Sequence, residues 1–187
     1  MRSKDARRPE AALASDPELM LRLAAGEIGA LGELYDRHQT ALRRFVARAT
    51  ADAEDVDDIV HAAFLTAAKS AARYDGRPGC RPWLIGIAVQ LLRRRRRALG
   101  RLVAVLASLH GTRPASRDPR PALDARPDVE RALARLSEAK RVALLLAEVE
   151  GLTCPEIAEL LAIPIGTVWT RLHAARRELR QLLEDVP

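Results

Sequence analysis

The side chains best suited to chemistry in this 187-residue chain lie in its last quarter, and that chemistry is recognition of a polyanion. On a helical wheel beginning near Gly166, Val168, Leu172, Ala175, Leu179, Leu182 and Leu183 fall on one apolar stripe. Thr170, His173, Ala174 and Arg177 point directly away from it, flanked by Trp169, Arg171, Arg176 and Arg180. A guanidinium can bond bidentately to guanine O6 and N7, which makes Arg171 the first candidate for a base contact. Arg176, Arg177 and Arg180 are suited to phosphates, which position a duplex without reading it. The bland alternative is an amphipathic helix with a solvated basic face.

The elements before this helix argue against the bland alternative. Thr153 and Glu156 have capping-box spacing, and Pro155 sits in the first turn, where a missing N–H costs little. Ile157, Leu160 and Leu161 face inward, and Ile163-Pro164 makes a turn. A short capped helix, a tight turn and a longer basic helix form a helix-turn-helix, whose second helix enters a DNA major groove. Val129, Leu133 and Leu136 predict one helix upstream. A second, capped by Ser137 and ended by Gly151, carries Val142, Leu145, Leu146 and Val149 inward.

Two further constellations stand in the first half. Arg93–Arg97 is a cationic run at a predicted helix end, denser than the helix dipole requires, and it favours phosphate. Tyr74 and Trp83 nearby could stack on bases or simply pack, and the inward stripe favours packing for Trp83. Acids crowd between Asp52 and Asp58, where they suit either the dipole of a helix start or the docking of a basic partner. No nucleophile–base pair, metal set or phosphate loop occurs. Cys80 and Cys154 have no CxxC or Cys/His spacing suited to zinc, so no catalytic residue, metal, cofactor or small-molecule substrate is expected. The longest apolar run, Leu102–Leu109, is too short to cross a bilayer, and a cytoplasmic protein with reduced thiols is expected.

Hydrophobic residues make up 48% of the chain but aromatics only 3%, so the cores must be built from Leu, Ala, Val and Ile at helical spacing. An all-α fold follows. Lys and Arg outnumber Asp and Glu by 31 to 25, which favours a polyanionic partner. The pattern predicts a disordered tail over 1–14, a helical domain over 15–100, a proline-rich linker over 101–127 and a four-helix domain over 128–187. Asp16 is the expected N-cap of the first helix. The fourth helix is expected from about Arg81 to Leu99, and its continuation beyond Gly100 is left open by the sequence.

In combination these segments resemble the extracytoplasmic-function (ECF) sigma factors of the sigma-70 family, the small form that retains regions 2 and 4. The resemblance is carried by Asp16-Pro17-Glu18-Leu19, Leu31-Gly32-Glu33-Leu34-Tyr35, Asp52-Ala53-Glu54-Asp55, Asp58-Ile59-Val60, Phe64-Leu65, Arg81-Pro82-Trp83-Leu84 and Ile163 through Leu172. It implies two small helical domains and a role in promoter-specific initiation by core RNA polymerase. Asp55, Asp58, Ile59, His61 and Ala62 would then dock on the β′ coiled coil. Tyr74, Arg77, Arg81, Gln90, Arg93 and Arg94 would recognise and melt −10 DNA, where extracting a base costs a few kcal/mol of stacking. Thr167, Trp169, Thr170, Arg171, His173, Ala174, Arg176, Arg177 and Arg180 would read −35 DNA, while their domain meets the β flap. An anti-sigma factor is the further partner implied. The chain departs from the family habit at His61-Ala62, Ala68, Cys80 and Gln90. Two rivals remain at this point: a stand-alone helix-turn-helix regulator, and a degenerate sigma acting only as an interaction protein.

Overall fold

Ser15 opens the first helix: its backbone N–H and its hydroxyl both donate to Glu18 Oε2, at 2.7 and 2.8 Å. The cap therefore sits one residue before Asp16. Asp16 is taken up by tertiary contacts: Arg37 Nη1 donates to its Oδ1 at 2.5 Å and His38 Nε2 to its Oδ2 at 2.8 Å. The computed structural model describes residues 14–50, 55–109 and 128–184. Asp52, Glu54, the expected tail before Ala14 and most of the expected linker lie outside them.

Helices α1 (Asp16–Ala24), α2 (Ile28–Ala49), α3 (Val56–Ser70) and α4 (Cys80–Leu109) build the first half, with a single 3-10 turn at Ala71–Arg73. Helices α5 (Asp128–Arg135), α6 (Glu138–Glu148), α7 (Cys154–Leu161) and α8 (Ile165–Glu184) build the second. The described residues contain no strand. The periodic stripes pack as their spacing dictates, with Leu34, Leu42, Phe45 and Val46 of α2 meeting Ile59, Val60, Ala63 and Phe64 of α3 and Leu84, Ile85, Ala88 and Val89 of α4 in one core. Val149 and Leu183, expected inward, are exposed at helix ends.

Helix α4 runs through Gly100 to Leu109, so the segment beginning at residue 101 is helical where a linker was expected. One glycine in a helix costs only about 1 kcal/mol relative to alanine, and the Leu, Arg and Ala around it favour the helix.

The two halves share a core. Val142, Leu145, Leu146, Ile157 and Leu161 belong to the same buried cluster as the first four helices. The approach is close at Gly86 of α4, where an added Cβ would lie 2.6 Å from Leu160 Cδ1 of α7. Polar contacts reinforce the join. Arg81 Nε lies 2.9 Å from Glu150 Oε2, and that glutamate side chain is only 3% exposed. Arg96 pairs with Glu138 at 3.2 Å. Arg93 Nη1 donates to the Leu161 carbonyl at 2.9 Å, satisfying one of the orphan acceptors at the end of α7.

Candidate nucleic-acid interface

Helix α7 begins as the sequence predicts. The Thr153 backbone N–H and hydroxyl donate to Glu156 Oε2 at 2.8 and 2.6 Å. These bonds, the hydroxyl's first, hold the Glu156 carboxyl below its ordinary range. Ala162 ends the helix in the left-handed region, at φ 50°, and turns the chain into Ile163-Pro164. The Pro164 carbonyl then accepts from Thr167 N–H at 2.9 Å and starts α8. Val168, Leu172 and Ala175 are buried, which fixes the rotation of α8 and turns the opposite face to solvent.

That outer face carries Trp169 (58% exposed), Thr170, His173, Arg177 and Arg180. Thr170 donates its hydroxyl proton to the Gly166 carbonyl at 2.8 Å, leaving the oxygen's lone pairs for acceptance. Arg176 is exposed and pairs with Glu148 at 2.8 Å. Trp169, His173, Arg176, Arg177 and Arg180 line a shallow cavity of about 380 Å³ with Leu172 and Cys154. The sequence did not place Cys154 there. It comes from the first turn of α7, and only the angle between the two helices brings it to α8.

Arg171 takes a different place from the one the helical wheel suggests. It is half-buried, and its Nη1 is buried without a hydrogen-bond partner among the described residues. It lies within electrostatic reach of Arg93 on α4: burial chiefly, and Arg171 next, pull the Arg93 guanidinium below its ordinary value. Thr167 and Ala174 are also half-buried.

The α4 candidates divide similarly. Tyr74 and Trp83 form a tilted pair with centroids 5.2 Å apart, both half-buried, and burial raises the Tyr74 phenol above its ordinary value. Arg77, Gln90 and Arg94 are exposed. A groove of about 490 Å³ runs between Arg73, Arg77, Trp83 and Gln90 on one side and Glu156 and Glu159 on the other. Of the residues expected on DNA, Arg81 and Arg93 make contacts across the join between the halves.

On α3, Asp55 is buried and ion-paired with Arg95, and Ile59 belongs to the core. Asp57 pairs with Arg43 at 2.5 Å. Asp58 and His61 are exposed, and Ala62 is half-buried beside them. The His61 ring stacks on Tyr35 at 6.0 Å with 8° between planes, and its Nε2 lies 3.3 Å from the tyrosine hydroxyl. Alternation of acids showed none of these pairings. Burial pushes the Cys80 thiol up to about 12, which makes it a poor nucleophile as it stands. No helix among the described residues is long and apolar enough to cross a membrane.

Residues 34–102 match the description of sigma-70 region 2, and residues 126–179 match that of sigma-70 region 4. The ECF RNA polymerase sigma factor SigM of Mycobacterium tuberculosis is 31% identical over 170 residues, 90% of this chain and 85% of that relative. The chain belongs to the extracytoplasmic-function sigma factors of the sigma-70 family. The sigma factor is also 32% identical over 173 residues to CarQ of Myxococcus xanthus, covering 89% of this chain and 97% of that protein. Among solved structures, CnrH in complex with the cytosolic domain of CnrY is similar with a TM-score of 0.62 and 27% identity, over 92% of this chain and 99% of that one. RpoE of Bartonella quintana, solved with NepR, shares the fold with a TM-score of 0.62 at 24% identity, over 79% and 92% of the two chains. The sigma factor is thus a transcription initiation factor that directs core RNA polymerase to promoters. Matches to both regions in order do not favour a stand-alone regulator. The all-α architecture with regions 2 and 4 stands as the sequence implied.

Proposed function

We propose that this sigma factor reads −35 DNA with the outer face of α8, through Trp169, Thr170, His173, Arg177 and Arg180, and −10 DNA through Tyr74 and the exposed Arg77, Gln90 and Arg94. The observation that carries this is the burial of Val168, Leu172 and Ala175, which leaves one aromatic and basic face of α8 free for a groove. Arg81 and Arg93 join the DNA contacts only when the halves part, since both are engaged at their join. Asp58 and His61, exposed on α3, offer the docking face toward polymerase, and Asp55 and Ile59 hold that helix in place. The protein performs no chemistry of its own and acts in the cytoplasm. An anti-sigma factor holds it in check, as the complex of CnrH with CnrY supports. Region 2 then ends within α4, and region 4 starts at α5.

Binding of the purified chain to core RNA polymerase, followed by run-off transcription, tests this reading. Asp58→Arg is expected to weaken binding by at least tenfold while leaving the helical content unchanged. Binding of equal strength by the variant would overturn the docking assignment. Tight binding with no transcript would overturn the promoter-opening role.

A further inference from the structure

Three elements distant in sequence place a carboxylate, an imidazole and a thiol at one point. Asp16 comes from the first turn of α1, His38 from the middle of α2 and Cys80 from the first residue of α4. One ligand atom from each lies within 4.8 Å of both others. His38 and Cys80 are buried, while the Asp16 side chain keeps a quarter of its surface in solvent. We propose that Asp16, His38 and Cys80 form a three-ligand site for a divalent cation of the zinc class, with water completing the coordination.

The donor set selects the metal class. One sulfur, one nitrogen and one oxygen suit borderline ions such as Zn²⁺ or Co²⁺, whereas Mg²⁺ and Ca²⁺ require oxygen ligands. Bond lengths of about 2.0–2.3 Å in a tetrahedron set ligand atoms roughly 3.3–3.7 Å apart. The Asp16–His38 separation of 2.8 Å must open, and any separation near the 4.8 Å bound must close. Each adjustment is about 1 Å, within reach of small side-chain rotations. Asp16 also has the outer support a ligating carboxylate needs. Arg37 Nη1 binds its Oδ1 and Arg37 Nη2 the Ala14 carbonyl at 2.8 Å, which leaves Oδ2 to face the imidazole. Charge closes as well: a carboxylate and a thiolate neutralise the cation, and Arg37 is a positive group paired with Asp16. Nothing in the sequence signals this set, because the three residues have no common spacing. Such a site would fasten the start of α4, and the Tyr74–Gly79 loop before it, to α1 and α2.

The test is cobalt titration of the metal-free full chain, in the wild type and in Cys80→Ser, Cys154→Ser and Arg37→Ala. Only two cysteines exist, so sulfur-to-cobalt charge transfer in the near ultraviolet reports one of them. One equivalent of Co²⁺ is expected to produce that band with tetrahedral visible absorption, and Zn²⁺ is expected to bleach both. The band is expected to survive Cys154→Ser and vanish in Cys80→Ser, while Arg37→Ala weakens binding by about 10–100-fold. No band in the wild type, or a band lost in Cys154→Ser, would overturn the proposal. Neither of those outcomes depends on whether Cys80→Ser folds.

Discussion

Replacing Gly86 by alanine separates two energies that act on the same residue. Helix α4 gains about 1 kcal/mol of intrinsic propensity when an interior glycine becomes alanine. That gain is present whether or not the halves are joined, so it cancels from the balance between joined and parted forms. The clash does not cancel. The new Cβ would meet Leu160 Cδ1 at 2.6 Å and Cγ at 3.0 Å, across the join. Overpacking of this kind costs about 1–3 kcal/mol. The joined form is therefore expected to lose roughly 5–150-fold in population relative to the parted one. Thermal unfolding of the first half should meanwhile stay unchanged or shift upward. Small-angle X-ray scattering reads the first effect as a larger radius of gyration, and amide exchange in α1–α4 reads the second. Gly86→Leu should open the chain further. A variant that remains as compact as the wild type while unfolding at lower temperature would refute the reasoning, because the clash would then be absorbed within the fold.

Other perturbations address single contacts. Glu150→Ala leaves Arg81 without its partner; with Arg81 itself half-exposed, the joined form should weaken by about 1–2 kcal/mol, seen as expansion in scattering and as tighter DNA binding. Arg177→Ala and Arg180→Ala should each weaken promoter binding and lower the salt dependence by about one phosphate contact, measured as the slope of log K against log salt. An unchanged slope would remove them from the phosphate interface. Glu156 has a folded-state carboxyl held below its ordinary range, so its contribution is present above that range and is lost as pH falls through the lowered value. The gap in thermal midpoint between wild type and Thr153→Ala should accordingly narrow in acid, and a gap independent of pH would contradict the cap.

Much of the local structure was legible in the residues themselves. Thr153 and Glu156 announce their helix because both partners lie within one turn, and the stripe through Val168, Leu172 and Ala175 fixes which face of α8 is free. Features set by distant neighbours were not legible. Asp16 looks like a cap until α2 supplies Arg37 and His38, which leaves the cap to Ser15. Asp55 looks displayed until Arg95 of α4 folds over it. Arg171 looks like a base reader because a helical wheel contains only one helix, and its half-burial near Arg93 of α4 depends on how the helices pack. The extent of α4 was obscured by Gly100, a weak breaker read beside strong ones.

The covalent link between the halves changes what their join has to accomplish. Helix α4 is 30 residues long, about 45 Å at 1.5 Å per residue, and 18 residues, 110–127, connect its end to α5. Eighteen residues can span at most about 60–65 Å, so each half remains confined to a small volume around the other. Covalent connection over so few residues keeps the concentration of one half around the other high. Contacts far too weak to hold two separate molecules together can therefore keep this one shut. A partner that grips both halves gains the same advantage in reverse: once one half is seated, the other is already at hand, and two modest affinities act as a strong one. One connection thus favours both the join within the chain and a partner that grips both halves.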